Sequence, residues 1–165
     1  RATLNLDEVW LLVAHTPWQK TGRGVTDAEH RLAMARAAVV GLDGLVASDF
    51  EFDPPGPTYT VDTLERLVRL RPEVMPTLIL GADAAAGVGT WHRSADVAAL
   101  AEIAVVDRPG CGSTTPATLA VPQLDVSSTG IRARVQTGRP IDVLCPPGVV
   151  SLISELGLYD GGDGS

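Results

Sequence analysis

The segment Ser127-Ser-Thr-Gly-Ile-Arg132 places three hydroxyls and a guanidinium group where a helix is predicted to begin. Amides in the first turn of a helix carry partial positive charge, and an arginine can bind two phosphate oxygens at once. The hydroxyls add further donors, so the segment is a candidate phosphate site. The residues leave an ordinary alternative open, namely a serine that caps the helix and a solvated arginine.

Four other segments offer groups that a nucleotide could use. Lys20 follows an apolar run, and its ammonium group could reach a triphosphate and offset charge as pyrophosphate departs. Gly56-Pro-Thr-Tyr-Thr60 offers two hydroxyls and a ring, while Gly81-Ala-Asp83 offers close backbone approach and a carboxylate for ribose hydroxyls. Trp91 could stack on a heteroaromatic ring. A surface lysine, a proline turn before a helix cap, a chance Gly-Ala-Asp and a packed tryptophan remain the alternatives.

The scaffold follows from apolar runs that alternate with helical patterns. Strands are predicted at 8–13, 45–52, 77–80, 103–106 and 121–126, the first of them compatible with burial on both faces. Helices are predicted at 28–40, 62–70, 94–102, 128–136 and 146–158, with His30 and Arg31 on a polar helix face. This order predicts an α/β fold of the Rossmann-like, doubly wound type, with a largely parallel sheet and helices on both faces.

Five loops follow the apolar runs, at 14–20, 53–60, 81–91, 107–110 and 127–132. Ligands of doubly wound sheets bind beyond the carboxyl ends of the strands. We therefore expect the polar residues of these loops to converge at one rim of the sheet.

Length and composition limit the class of protein. The 165 residues fit a single domain, predicted at 1–159, followed by a disordered tail at 160–165. A net charge of −7 argues against nucleic acid or an anionic membrane as a partner. No apolar run approaches the roughly eighteen residues of a membrane span. Small anionic ligands remain possible where basic residues converge. Cys111 and Cys145 lack the spacing of metal or redox motifs, which favours incidental thiols in a reducing cytoplasm.

Taken together, the order and content of these segments resemble those of bacterial nicotinate-nucleotide adenylyltransferases along nearly the whole chain. The matching segments are Pro17-Trp-Gln-Lys20, Glu29-His-Arg31, Gly56-Pro-Thr-Tyr-Thr60 with Asp62-Thr-Leu64, Gly81-Ala-Asp83, Trp91, Arg108-Pro-Gly110, Ser127-Ser-Thr-Gly-Ile-Arg132, Pro147-Gly-Val-Val150 and Tyr159.

The resemblance implies an activity and a set of site residues. The activity is adenylyl transfer from ATP to nicotinate mononucleotide with Mg²⁺ assistance, which gives deamido-NAD and pyrophosphate in NAD biosynthesis. Lys20 and Arg132 are the implied catalytic residues. The ATP site would comprise Gly81, Asp83, Ser127, Ser128, Thr129, Ile131 and Arg132. The nicotinate mononucleotide site would comprise Thr58, Tyr59, Thr60 and Trp91, with Trp91 stacked on the pyridine ring.

The sequence departs from the family pattern at its N-terminus. The family begins with a strand, a Gly-Gly-Thr-Phe-Asp-Pro segment and a His-x-Gly-His pair, and none of these occurs here. We therefore expect a truncated chain with exposed apolar edges and low activity. Two rivals remain open: a related adenylyltransferase for nicotinamide mononucleotide or phosphopantetheine, and a non-catalytic nucleotide-binding module. The family resemblance also allows a homodimer.

Overall fold

The computed structural model describes residues 1–16, 25–53, 55–56, 58–107, 119–120 and 124–160, and these residues form two compact units. The first unit contains residues 1–57 and 126–165, and the second contains residues 58–125. In chain order, the elements of the described residues are β1 Val9–Leu12, α1 Ala28–Val39, β2 Leu45–Ser48, α2 Thr60–Leu70, β3 Thr77–Gly81, α3 Ala82–Gly87, α4 Ser94–Leu100, β4 Glu102–Asp107, β5 Leu119–Ala120, α5 Ser128–Gln136 and α6 Pro147–Glu155.

In the first unit, β1 and β2 pair in parallel with Val9 opposite Leu45, and α1 connects them. Leu11 and Leu12 are each 41% exposed. Successive strand residues point to opposite faces, so neither face of β1 is fully covered and the expectation of a strand buried on both faces is wrong.

Helices α1, α5 and α6 pack around one apolar cluster of the first unit. Its buried members are Ile141, Val149 and Ile153. A Cβ added to Gly148 would lie 3.3 Å from the Cβ of Ala37, so a glycine here lets α6 approach α1 closely. At the end of α1, Gly41 has a φ of 78°, the left-handed conformation that commonly stops a helix.

In the second unit, β3, β4 and β5 form a parallel sheet in that order. The core of this unit lies between α2 and α4, where Val61 and Val97 are fully buried and Leu64 and Ala101 nearly so. Every strand pair in the described part of the chain is parallel, which confirms the predicted α/β class.

Three predicted elements differ from the structure. The strand expected at 45–52 ends at Ser48, because the Ser48 hydroxyl accepts the Phe50 amide and the chain then turns. The loop expected at 81–91 contains α3, whose four alanines favour helix, followed by a 3-10 turn at Val88–Thr90. The strand expected at 121–126 is instead found at Leu119–Ala120. Residues 124–126 are not in a strand, and 121–123 lie outside the described residues.

The remaining helix and strand predictions are confirmed with small shifts at their ends. The prediction for α5 matches its bounds, and α2 begins two residues earlier than expected. No helix in the described ranges is long and apolar enough to cross a membrane.

Candidate active site

The first turn of α5 carries the hydroxyls that the sequence analysis singled out. Ser127 is the N-cap, and its hydroxyl accepts a hydrogen bond from the Gly130 amide at 3.0 Å. The Ile131 amide donates to the Ser127 carbonyl at 2.9 Å, which closes the first helical turn. Ser128 and Thr129 then occupy the first two helical positions, where amides have no acceptor within the helix. Both residues are exposed.

Arg132 lies one turn into α5 and is also exposed. One of its terminal nitrogens lies 3.4 Å from the Thr129 hydroxyl, as a donor. The guanidinium carbon lies 6.0 Å from the centre of the Tyr159 ring, within the range of a cation–π interaction. The first turn of α5 therefore presents amides, hydroxyls and a cation together, which is the donor set that a phosphate requires.

Tyr159, which contacts Arg132, is held in turn by a chain of polar contacts. The Thr26 hydroxyl donates to the Tyr159 hydroxyl at 2.9 Å. Arg31, on α1, donates from Nε to the Thr26 carbonyl at 2.9 Å and from a terminal nitrogen to the His15 carbonyl at 3.0 Å. Arg31 is half-buried and bridges two backbone segments, so it does more than line a polar helix face as predicted.

The start of α1, beside this chain of contacts, is also capped. The Asp27 carboxylate accepts a hydrogen bond from the Glu29 amide at 2.8 Å, as expected for an N-cap aspartate. This hydrogen bond is the main reason that the pKa of Asp27 lies below its usual value. Two helix starts of the first unit are thus fixed by side-chain caps.

In the second unit, Gly81 ends β3 and Asp83 stands in the first turn of α3. Both residues are exposed. The carboxylate therefore lies beyond the carboxyl end of a parallel strand, the position where doubly wound folds bind ribose. Both residues follow a buried-strand run as expected, but Asp83 belongs to a helix and not to the predicted loop.

Thr58, Tyr59 and Thr60 lead into α2, which begins at Thr60. The Tyr59 ring is 41% exposed and lies 4.5 Å, centre to centre, from the His92 ring at an interplanar angle of 36°. His92 follows Trp91 directly, so the structure brings the two predicted nicotinate-binding segments side by side.

Trp91 is half-buried, and its amide donates to the Val88 carbonyl. The chain then turns at Arg93, which has a φ of 52°. Arg93 donates to Glu65 of α2 and to Asp96 of α4, at 2.6 Å in each case. These two hydrogen-bonded carboxylates raise the pKa of Arg93, and they tie the Trp91 turn to the two helices beside it.

The predicted site residues thus fall into two groups. Ser127, Ser128, Thr129, Ile131 and Arg132 belong to the first unit, whereas Thr58, Tyr59, Thr60, Gly81, Asp83 and Trp91 belong to the second. Lys20 lies outside the described residues.

Sequence reasoning assigned no ligand role to His92 and Tyr159, which contact these groups, or to Thr26 and Arg31, which lie behind Tyr159 in the chain of polar contacts. Their contacts span up to 133 residues of sequence, so local spacing carries no signal for them. In the described ranges, no group of three His, Cys, Asp or Glu side chains could hold a metal ion.

Comparison with known proteins adds family relationships to this geometry. A sequence-family model described as cytidylyltransferase-like matches residues 1–134. The probable nicotinate-nucleotide adenylyltransferase of Arthrobacter sp. (strain FB24) is 39% identical over 97% of this chain and 80% of its own length. That of Streptomyces coelicolor is 41% identical over 97% of this chain and 89% of its own length.

A solved structure with the same fold is that of the nicotinic acid mononucleotide adenylyltransferase of Plasmodium falciparum, complexed with NaAD. It superimposes with a TM-score of 0.73 and covers 93% of this chain and 83% of its own. Its sequence is 17% identical, so this likeness concerns the fold alone.

Proposed function

Because this chain belongs to the nicotinate-nucleotide adenylyltransferases, within the cytidylyltransferase-like family, we propose that it transfers the adenylyl group of ATP to nicotinate mononucleotide. The products are deamido-NAD and pyrophosphate, and the reaction is a step of NAD biosynthesis. The observation that carries the proposal is the first turn of α5, where exposed hydroxyls, helix amides and Arg132 form one set of phosphate donors.

On the ATP side, we assign Ser127, Ser128, Thr129, Ile131 and Arg132 to the phosphates. A phosphate oxygen of the mononucleotide attacks the α-phosphorus of ATP, and the bond from that phosphorus to the bridging oxygen breaks. The electron pair leaves with pyrophosphate, so negative charge grows on the leaving group. Arg132, together with Lys20, neutralises that charge, while Gly81 and Asp83 hold the nucleoside.

On the acceptor side, we assign Thr58, Tyr59, Thr60 and Trp91 to nicotinate mononucleotide. Tyr59 supports this assignment because its ring already contacts His92, the neighbour of Trp91. An exposed aromatic surface of this kind binds a flat heteroaromatic ring by stacking. Hydroxyls of Thr58 and Thr60 then offer hydrogen bonds to the polar substituent of that ring.

Mg²⁺ enters the proposal as part of the substrate. Magnesium in nucleotide sites is held largely by phosphate oxygens and water, with few protein ligands. We therefore assign the ion to the triphosphate of ATP and assign no residue of this chain as its ligand. When bound, it withdraws charge from the phosphates during pyrophosphate departure.

The direct test is to incubate the purified chain with ATP, Mg²⁺ and nicotinate mononucleotide and to separate the nucleotides by chromatography. Deamido-NAD and pyrophosphate are expected in equal amounts. Long incubations allow slow turnover to be detected. Calorimetric titration with ATP and with nicotinate mononucleotide measures binding independently of turnover.

Parallel reactions separate the rivals. Faster product formation from nicotinamide mononucleotide or phosphopantetheine would assign the chain to another acceptor. ATP binding without pyrophosphate release over the longest incubation would favour a non-catalytic nucleotide-binding module. Failure to bind ATP would contradict both the enzyme and the module.

Two further properties belong to the same proposal. The reaction consumes ATP to make a pyridine nucleotide, so we infer that the chain works in the cytoplasm. A homodimer stays a prediction, which the sedimentation velocity of the purified chain tests.

A further inference from the structure

We propose that Tyr159 is a positioning residue for Arg132, and that its ring holds the guanidinium group in the orientation that binds the ATP phosphates. The inference rests on the proposed function, because that function supplies the ligand of Arg132. It adds a residue that lies 27 positions further along the chain and that contacts the phosphate-binding turn only through the fold.

The first observation is the geometry of the pair. The guanidinium carbon of Arg132 lies 6.0 Å from the centre of the Tyr159 ring. A cation over an aromatic face is attracted by the negative charge density of that face. The same guanidinium lies 3.4 Å from the Thr129 hydroxyl, so two contacts limit the directions in which this exposed side chain points.

The second observation is that the ring itself is fixed. Its hydroxyl accepts the Thr26 hydroxyl at 2.9 Å, and the Thr26 carbonyl in turn accepts Arg31 at 2.9 Å. The ring also packs against the cluster of Ile141, Val149 and Ile153, as Ile131 does from α5. The ring of Tyr159 and the helix that carries Arg132 therefore share one support.

The third observation is the backbone of Tyr159. Its φ is 66°, in the left-handed region that residues with side chains rarely adopt. Such a conformation persists only where the surrounding contacts hold it, and it is often found at functional sites. Here those contacts are the hydroxyl bond to Thr26 and the packing of the ring.

The consequence for binding is a smaller loss of side-chain freedom when ATP arrives. An arginine that is already oriented gives up fewer rotamers as it forms hydrogen bonds. The proposed function assigns Arg132 to the phosphates of ATP, so Tyr159 should influence the affinity for ATP and leave the affinity for nicotinate mononucleotide unchanged. A purely structural role would instead lower stability without this selectivity.

The test compares Tyr159→Leu and Tyr159→Phe with the unmodified chain by calorimetric titration with ATP and with nicotinate mononucleotide. Tyr159→Leu should raise the Kd for ATP about two- to fivefold, the size of an exposed cation–π contact. Tyr159→Phe keeps the ring, so it should retain most of the ATP affinity that Tyr159→Leu loses, even though the hydrogen bond to Thr26 is gone.

Two controls separate positioning from stability. Leu158→Ala removes a side chain packed against the same cluster, and it should lower the Tm without changing the Kd for ATP. In the Arg132→Ala background, Tyr159→Leu should cause no further loss of ATP affinity, because the group that it positions is absent.

The inference is overturned if the unmodified chain binds ATP and Tyr159→Leu binds it equally well. It is also overturned if Tyr159→Leu weakens ATP binding as much without Arg132 as with it. A chain that binds no ATP in any form overturns the proposed function and this inference together. Binding of ATP without product leaves the comparison of Kd values intact and contradicts the enzymatic proposal only.

Discussion

The first turn of α5 and the Tyr59–His92 pair are two different ways of building a ligand site. The turn consists of consecutive residues that a helix N-cap arranges, since the Ser127 hydroxyl fixes the Gly130 amide. The pair joins two segments that are 33 residues apart and meet through a ring contact at 4.5 Å. The first is a local structure, and the second exists only once the second unit has folded.

The helices that begin beside these two sites differ in their N-caps. In the first unit, α1 and α5 begin with the side-chain caps Asp27 and Ser127. In the described part of the second unit, the N-caps of α3 and α4 are Gly81 and Arg93, and neither makes a side-chain cap. Phosphates need donors in fixed directions, which a capped first helical turn presents, whereas a flat ring needs a surface, which packing supplies.

The largest expected effect tests the first turn of α5, the local structure in this comparison. Arg132→Ala should raise the Kd for ATP about ten- to a hundredfold, because it removes hydrogen bonds to a charged group. Calorimetric titration with ATP measures it. Arg139→Ala removes the same charge from an exposed position after α5 and serves as the matched control, with an unchanged Kd. If both variants lost the same ATP affinity, Arg132 would act only through its contribution to the net charge of the chain.

A smaller effect tests the segments of the second unit that meet only through packing. Trp91→Ala should raise the Kd for nicotinate mononucleotide about three- to tenfold through the loss of stacking, while ATP affinity stays the same. Trp10→Ala is the control, since Trp10 is a half-buried tryptophan of β1 that packs against Phe50. If Trp91→Ala affected both ligands alike, Trp91 would have a structural role and would not mark a separate acceptor site.

This contrast also explains how much the sequence could predict. The bounds of α5 and its Ser127 cap were predictable, because capping depends on consecutive residues. Parallel strands were predictable from short apolar runs between helices. The contacts from Thr26 to Tyr159 and from Tyr59 to His92 were not, because they join distant segments and depend on packing. The predicted end of β2 was wrong because a side chain competes with strand pairing there: the Ser48 hydroxyl accepts the Phe50 amide.

Substitution of two neighbouring serines distinguishes helix capping from ligand binding in the first turn of α5. Ser127→Ala removes the cap and should destabilise the chain by about 1 kcal/mol, measured by urea unfolding. Ser128→Ala removes an exposed hydroxyl that makes no cap, so stability should change by less than about 0.5 kcal/mol. Titration with ATP should show a weaker Kd for both variants. A Ser128→Ala variant with unchanged ATP affinity would assign the phosphate contacts of this turn to its amides alone.

The smallest effect concerns the cap of α1, the helix that supplies Arg31 to the contacts behind the site. The Glu29 amide lowers the pKa of Asp27 from its ordinary value of 3.8 in the folded chain. The charged cap therefore adds stability that is fully present above the pKa of the unfolded chain and is lost as pH falls through the folded pKa. Asp27→Asn caps the helix equally well but does not titrate.

Urea unfolding of the unmodified chain and of Asp27→Asn at several pH values measures this loss. The difference between their free energies of unfolding should stay constant above about pH 5 and shift in favour of Asp27→Asn below about pH 4. The other carboxylates titrate alike in both chains, so the difference isolates Asp27. If the free energies of unfolding of the two chains differed by the same amount down to about pH 3, the stability that the Asp27 cap provides would not depend on its charge.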